Sequence, residues 1–371
     1  MHILHINCNY IGTALHQLMI EHLDKLGYTN QVFVPTYDKN LSVIKTNNNV
    51  CVCECFNKCD RVLFDYKQLK IRNALEKNVD VSKYDLIHAY TLFTDGNCAR
   101  ILSKKHKVPY VVAVRNTDVN DFFRLMPHLR NRGIKIMREA SAVFFLSEAY
   151  RRQVFDKYVP AKYYDELMAK THIIPNGIDD FWLKNSYECR EDRLNSSSPI
   201  KLVYAGRIDK NKNITTTQKA IKLLRSNGYP VTLTVVGKIQ DKKEYELIIK
   251  DENTSYLPAM PKEKLINLYR KCDIFVMPSF TESFGLVYAE AMSQGLPVIY
   301  SFGQGFDGQF AEGIVGYHVL ARNFLSVADG IKNVINNYAM IRNNVAECAK
   351  RFNWSTVVKS YDDIYHIIID S

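Results

Sequence analysis

One stretch, Pro278 to Ser301 (PSFTESFGLVYAEAMSQGLPVIYS), constrains the fold more than any other. It follows Ile274-Phe-Val-Met277, an apolar run of the length of a buried strand. Ser279 and Thr281 are expected to start a helix, and Gly285 lets the backbone approach a ligand closely. Leu286, Ala289 and Met292 then recur at helical spacing. Gly295 stands where a C-terminal cap is expected, and Pro297 blocks continuation before a second strand over residues 298–301. The stretch therefore reads as strand end, loop, helix, turn and strand.

Two carboxylates sit in this frame, Glu282 in the loop and Glu290 on the helix. Eight helical residues rise roughly 12 Å, so the pair cannot share one small atom but can grip two ends of a long ligand. Between them, the N–H groups of Ser283, Phe284, Gly285 and Leu286 lie at the positive end of the helix, a ready anion site. Carboxylate, anion cradle and carboxylate suit a sugar–diphosphate–ribose molecule. The alternative is an ordinary βα unit with two solvated glutamates.

Glu-x7-Glu, preceded by Pro-Ser and followed by Gly-Leu-Pro-Val-Ile, resembles the signature of the retaining glycosyltransferases of family 4. The resemblance implies the GT-B fold: two Rossmann-like α/β domains facing each other across a cleft. It implies an N-terminal acceptor-side domain over residues 1–180 and a nucleotide-sugar domain over 181–354. Phe352-Asn-Trp354-Ser and the helix after it resemble the family's closing segment, so residues 355–371 are expected to pack back on the first domain.

Length and composition agree with two domains: 371 residues, 47% of them hydrophobic, fill two cores of ordinary size. No run of about 18 apolar residues occurs, which excludes a transmembrane helix. The first residues, Met1-His-Ile-Leu-His-Ile-Asn7, lack the basic head and apolar core of a signal peptide. The expectation is a cytoplasmic protein with nine reduced cysteines. Cys51, Cys53, Cys55 and Cys59 follow no paired Cys-x2-Cys pattern, and in a strand the first three share a face as small apolar residues. The net charge of +10 fits an acidic ligand or membrane surface, and no nucleic-acid signature is present. Residues 100–170 hold 15 Lys and Arg against 7 Asp and Glu, a surplus of eight.

The N-terminal half opens as strand, helix and strand, with Asn9-Tyr-Ile-Gly12-Thr as the first loop. Relatives carry paired glycines there; Gly12 alone is the candidate for approaching the donor, or the loop is a simple turn. A later strand delivers Arg115-Asn116-Thr-Asp118, where many relatives have a His-Gly-Thr-Asp-like segment facing the acceptor. Arginine holds an anion or a hydroxyl but cannot shuttle a proton at neutral pH, so Arg115 binds rather than acts as a base, unless it is a surface ion pair. Residues 122–138 alternate basic and bulky apolar side chains, a composition that can settle on anionic lipid. Pro127 and Gly133 are expected to break that segment. The alternative is a solvated helix pair packed on the sheet.

Pro175-Asn-Gly177 reads as a turn, and Asn195-Ser-Ser-Ser-Pro199 as a loop or linker. The second half begins with a strand at residues 201–205 and Gly206-Arg-Ile-Asp-Lys-Asn-Lys212-Asn213, similar to the family's Gly-Arg-Leu-x3-Lys-Gly motif. Arg207 and Lys212 can converge on a leaving diphosphate, where charge-assisted bonds contribute roughly 1.5–3 kcal/mol each. Such a site needs no metal and no cofactor beyond the nucleotide-diphosphate sugar. Asn213 stands where relatives have glycine. Residues 256–260 occupy the place where relatives hold the base by backbone groups. Gly303, Gly305 and Gly308 lie in an irregular segment without a clean match to the family's Gly-Gly-x-x-Glu element.

By resemblance, Glu290 accepts from the ribose hydroxyls and Glu282 holds hydroxyls of the donor sugar. The N–H groups of Phe284, Gly285 and Leu286 contact sugar or phosphate, Gly206 lines the donor, and Arg207 and Lys212 stabilise the leaving group. The acceptor is expected to be a glycan or lipid-linked molecule of surface polysaccharide assembly, met at the inner face of the plasma membrane. A GT-B epimerase and a non-catalytic sugar-nucleotide-binding subunit are the competing readings. The first needs acid and base residues in the cleft; the second is opposed by the intact set Arg207, Lys212, Glu282 and Glu290.

Overall fold

The computed structural model describes residues 1–12, 14–38, 49–61, 63–187 and 198–370. The expected linker therefore lies mostly outside the described residues, which resume at Ser198. The chain divides into two compact units, Met1–Gly177 with Trp354–Ser371, and Ile178–Asn353.

The first unit carries strands β1 (His2–Ile6), β2 (Thr29–Thr36), β3 (Val50–Glu54), β4 (Leu86–Ala89), β5 (Tyr110–Val114), β6 (Ala142–Phe145) and β7 (Thr171–Ile173). They form one sheet in the order β3-β2-β1-β4-β5-β6-β7, with every pair parallel. Tyr110-Val-Val-Ala-Val114 and Ala142-Val-Phe-Phe145 are buried throughout, as a parallel sheet covered on both faces requires. Alternate side chains divide between two cores. Leu4, Ile6, Ile87, Val112 and Val143 meet Ile71, Leu75, Leu102 and Ile136 from helices Phe64–Asn78, Thr94–His106 and Arg130–Glu139. Ile3, Leu86, Val111 and Phe144 meet Met19, Ile20 and Leu23 of helix Ala14–Lys25, and Val357, Val358, Tyr361 and Tyr365 of the terminal helix Trp354–Ile369.

Residues 122–138 correct one expectation. Pro127 does interrupt the segment, by opening a 3-10 turn at Pro127–Leu129. Gly133 does not; it lies inside helix Arg130–Glu139, where a Cβ would come within 2.7 Å of the Phe93 ring and 3.0 Å of Phe123. The glycine answers to packing, not to chain reversal. Phe123, Ile134, Ile136 and Met137 are buried and Leu125 is exposed.

The second unit carries β8 (Ile200–Ala205), β9 (Val231–Gly237), β10 (Thr254–Pro258), β11 (Ile274–Val276), β12 (Val298–Ser301) and β13 (Gly316–Val319). Their order is β10-β9-β8-β11-β12-β13, again all parallel. The strand order reverses between β8 and β11, so the loops leaving those two strands flank a topological switch point. Open α/β sheets bind ligands there.

The helix of the opening stretch is shorter than expected, Leu286–Ser293. Ser279 and Thr281 do not start it. Gly285 does, at φ +78°, a left-handed conformation natural to glycine. A Cβ on Gly285 would lie 2.3 Å from the Tyr288 ring. Half of the span from Glu282 to Glu290 is therefore loop, which removes the basis for a 12 Å separation. The helix ends as expected: Gly295 has φ +80°, its N–H reaches Met292 O at 2.9 Å, and Leu296 N–H reaches Ala291 O at 3.2 Å, a Schellman pair. Among the described residues, no helix is long and apolar enough to cross a membrane.

Candidate active site

Three consecutive residues of the loop after β8 hold the loop after β11. Asn211 accepts from the N–H and hydroxyl of Thr281 at 3.0 and 2.7 Å, and donates to Thr281 O at 2.8 Å. Its carbonyl takes the Phe280 N–H at 2.8 Å. Lys212 Nζ lies 2.5 Å from Glu282 Oε2. Asn213 donates to Pro278 O at 2.9 Å and Ala321 O at 2.6 Å, and accepts the Thr216 hydroxyl. Asn213 sits at φ +57°, where relatives' glycine would be at ease and where asparagine is one of the few tolerated alternatives. The departure from the motif thus keeps the backbone and adds three side-chain bonds.

Glu282 is the centre of this arrangement. Its carboxylate also takes the Ser283 N–H at 3.2 Å and stands 3.5 Å from the Ser279 hydroxyl. That uses Ser283 internally. The N–H groups of Phe284, Gly285 and Leu286, by contrast, have no hydrogen-bond partner among the described residues. The Phe284 side chain is buried against Phe306 and Phe352, so only its backbone is offered. Three adjacent free donors at a helix start form a cradle for an anion or a polar oxygen.

Glu290 is partly exposed by area, yet its carboxyl lies deep enough that desolvation pushes it up to about 7, with Asp179 adding to the shift and Lys262 opposing it. Lys262 and Asp179 are themselves paired at 2.5 Å. Neither glutamate is a freely solvated side chain of an ordinary βα unit.

Arg207 is exposed, with Nε 3.7 Å from Asp209 Oδ2. The two cations expected to converge are each matched to a carboxylate instead, Arg207 to Asp209 and Lys212 to Glu282. Gly206 and Gly237 allow the ends of β8 and β9 to touch; a Cβ on Gly237 would fall 1.6 Å from Gly206 O. In the expected base segment, the Tyr256 hydroxyl donates to Gly237 O at 3.1 Å, beside the same strand ends.

In the first unit the predicted residues separate into two kinds. Arg115 is half-buried, donating from Nε to Tyr90 O and from its terminal nitrogen to Asn176 Oδ1, each at 3.2 Å. Asn116 Oδ1 accepts the Tyr150 hydroxyl at 3.0 Å and the Asn120 amide. Asp118 is a different case. It is buried, and its carboxylate accepts three backbone N–H groups, from Leu92, Phe93 and Arg115, at 3.0, 3.1 and 2.9 Å. Burial pushes it up to about 6 against the pull of those donors. It stitches loop to loop and presents no free oxygen surface to an acceptor. Gly12 is exposed with nothing within 4 Å of a would-be Cβ, so no packing reason demands glycine there.

Cys51 and Cys53 lie on β3 and pack, with Cys55, against the core; the eight cysteines of the described residues are free thiols, and Cys189 lies outside them. One trio of metal-type ligands occurs among the described residues, Asp307, Glu312 and His318. Its atoms are already engaged with one another, with Gly303 N–H and with Tyr300. Sequence reasoning singled out Gly303, Gly305 and Gly308 in this segment but missed Gln304 between the first two, whose side chain accepts the Glu282 N–H at 3.0 Å. The signal was present as Gly303 and Gly305 on either side of one long polar side chain.

Residues 17–180 match the family described as Glycosyltransferase Family 4, and residues 187–352 the family described as Glycosyl transferases group 1. An uncharacterized glycosyltransferase of Methanocaldococcus jannaschii is 24% identical over 315 residues, 78% of this chain and 77% of that protein. Among solved structures, sucrose-phosphate synthase from Thermosynechococcus elongatus superposes with a TM-score of 0.75 at 20% identity, over 100% of this chain and 99% of its own. HepE of Anabaena in complex with UDP and glucose gives 0.65 at 20% identity over 98% of each chain. These likenesses establish the fold as GT-B.

Proposed function

Because the chain belongs to the glycosyl transferases of group 1 and glycosyltransferase family 4, we propose that it moves a sugar from a nucleotide-diphosphate sugar to a glycan or lipid-linked acceptor, with retention at the anomeric carbon and without a metal. The observation that carries the reading is the switch-point cluster of the second unit. A part-buried lysine–glutamate pair and three N–H donors unpartnered among the described residues stand together on loops stitched by Asn211 and Asn213. Glu282 holds donor-sugar hydroxyls, and the N–H groups of Phe284, Gly285 and Leu286 take sugar or phosphate oxygens. Arg207 and Lys212 neutralise the diphosphate as its bond to the sugar breaks. Glu290 takes the ribose hydroxyls. That HepE was crystallised with UDP and glucose supports a uridine nucleotide as the first donor to try.

Glu282 is tied up by Lys212 and Ser283 N–H, which makes it a poor nucleophile. The reading therefore has the acceptor hydroxyl attack from the face the diphosphate leaves, its proton passing to a phosphate oxygen. On the first unit, Arg115 and Asn116 are the acceptor-side residues; Asp118 supports them. Contact with anionic membrane, in the setting of surface polysaccharide synthesis, rests on residues 122–138 and the exposed apolar side chains of the segment beside them. Arg132 and Arg138 are paired with Asp65 and Glu166, and Arg130 with backbone carbonyls. Leu63, just before helix Phe64–Asn78, and Tyr66 and Leu69 on it are exposed, as is Leu125, and the Phe64–Phe122 ring contact joins the two segments.

The test is a panel of nucleotide sugars scored by thermal shift, since a ligand bound only by the native state raises its stability. Transfer products are then read by NMR for anomeric configuration. Inversion would exclude the retaining assignment, and absence of any donor binding would exclude the glycosyltransferase reading. Co-sedimentation with acidic liposomes, lost in Leu63→Asp with Leu125→Asp, tests the membrane contact.

A further inference from the structure

Glu282 is held by its main chain as well as by its carboxylate. Its N–H donates to Gln304 Oε1 at 3.0 Å, and its C=O accepts from Gly305 N–H at 3.1 Å. Gly305 makes this approach possible, because a Cβ there would lie 1.9 Å from Ser283 O. The loop that brings Gln304 to this place is itself fixed. Asp307 N–H bonds Gln304 O at 2.9 Å, and Gly303 N–H bonds Asp307 Oδ2 at 2.7 Å. Phe306 is buried against Tyr288 and Tyr300, with centroids 4.8 and 5.0 Å away.

The hydrogen-bond partner fixes the orientation of the amide. Glu282 offers an N–H, so the Gln304 atom facing it is the oxygen, and the nitrogen turns away as a donor. That nitrogen has no partner among the described residues, and the side chain is half-buried. A preorganised donor thus stands on the side chain that holds the main chain of Glu282, whose carboxylate is acceptor-only. The two together match a sugar that offers a hydroxyl hydrogen to Glu282 and a neighbouring oxygen to the amide.

We propose that Gln304 is a specificity-determining residue of the donor site: its amide oxygen sets the backbone that presents Glu282, and its amide nitrogen hydrogen-bonds an oxygen substituent of the donor sugar. The proposal rests on the glycosyltransferase reading above. It separates nucleotide from sugar, because Gln304 reaches the sugar end alone.

Gln304→Glu is the decisive variant, since it keeps an oxygen for the Glu282 N–H and replaces the donor nitrogen with an anionic oxygen; Gln304→Ala removes both the acceptor and the donor. Initial rates are measured with UDP-glucose, UDP-N-acetylglucosamine and GDP-mannose, and binding of UDP and GDP alone by calorimetry. Expected is a fall in kcat/KM of about 10- to 100-fold for the preferred donor in both variants, the loss of one hydrogen bond to a polar ligand. The ranking of the sugars should change, and affinity for the free nucleotide should stay within about twofold. Gln304→Glu with unchanged kcat/KM and unchanged ranking overturns the proposal. So does a parallel loss of nucleotide affinity, which marks a merely structural role. Wild-type protein that binds none of the three donors overturns the glycosyltransferase reading, and this proposal with it.

Discussion

Lys212 Nζ lies 2.5 Å from Glu282 Oε2, with the two side chains only 12% and 13% exposed. The residues assigned to the leaving phosphate and to the sugar are therefore one ion pair in the unliganded chain. A diphosphate entering this site competes with Glu282 for the lysine, and the sugar hydroxyls compete with the lysine for Glu282. The donor replaces an existing pair of interactions instead of filling two unoccupied charges, so the Lys212–Glu282 pair is neutral before the diphosphate brings its own negative charge.

Removing one partner takes the opposite charge away from a part-buried side chain. Lys212→Ala and Glu282→Ala should each destabilise the fold by about 3 kcal/mol, and Lys212→Met with Glu282→Gln by clearly less than the two singles added. Each single change should also lower transfer at least about 100-fold. Denaturant unfolding and initial rates check both. Near-normal turnover in either single variant would sink the assignment of these residues.

Asn213 gives a sharper test of backbone against side chain. Asn213→Gly keeps the left-handed conformation but loses the bonds to Pro278 O and Ala321 O. Asn213→Ala loses the bonds and is strained as well. Stability should fall in the order Asn, Gly, Ala, with about 1 kcal/mol between the last two. Equal stability of the Gly and Ala variants would show that the positive φ is not maintained.

Much of this architecture was legible from the chain, and the exceptions have physical causes. The buried runs of a two-faced parallel sheet announce themselves, as at residues 110–114 and 142–145, because both faces of those strands are covered and favour apolar side chains. Gly295 and Pro297 mark a helix end for reasons local to those residues. Gly285, Gly133 and Gln304 are different. The helix start at Gly285 depends on the Tyr288 ring, Gly133 on Phe93 and Phe123, and the placement of Gln304 on a loop that must first pack against Glu282. Pairing of Lys212 with Glu282 across 70 residues is likewise a product of the switch point, which no local spacing encodes.

Asp118 should behave as a structural residue. Three backbone N–H groups lose their acceptor in Asp118→Ala, two of them in the turn that leads into helix Thr94–His106. A loss of about 2–4 kcal/mol is expected, with acceptor KM in the surviving folded protein changed less than by Arg115→Ala. The reverse ranking of the two KM effects would restore Asp118 to the acceptor surface.

A chelator should leave transfer intact, because Arg207 and Lys212 supply the positive charge. Asp307, Glu312 and His318 form the trio to mutate if it does not. Strict dependence on an added divalent cation, abolished by Asp307→Asn, would replace the proposed role of the two cations with a metal.

The pH dependence turns on Glu290. Its carboxyl is raised from 4.5 to about 7 in the folded, unliganded chain. The stabilisation linked to this shift is present below the unfolded value and is lost as pH rises through about 7, by at most roughly 3 kcal/mol and less because the group is partly exposed. Ribose hydroxyls donating to Glu290 favour the ionised form and pull its pKa back down. Nucleotide binding near pH 7 should then release a proton, and affinity should rise between pH 6 and pH 8. Calorimetry of UDP binding in two buffers of different ionisation enthalpy measures that proton directly. Glu290→Gln should bind more weakly, release no proton and lose the pH dependence. An undiminished proton release in Glu290→Gln would place the titrating group elsewhere and remove Glu290 from the ribose.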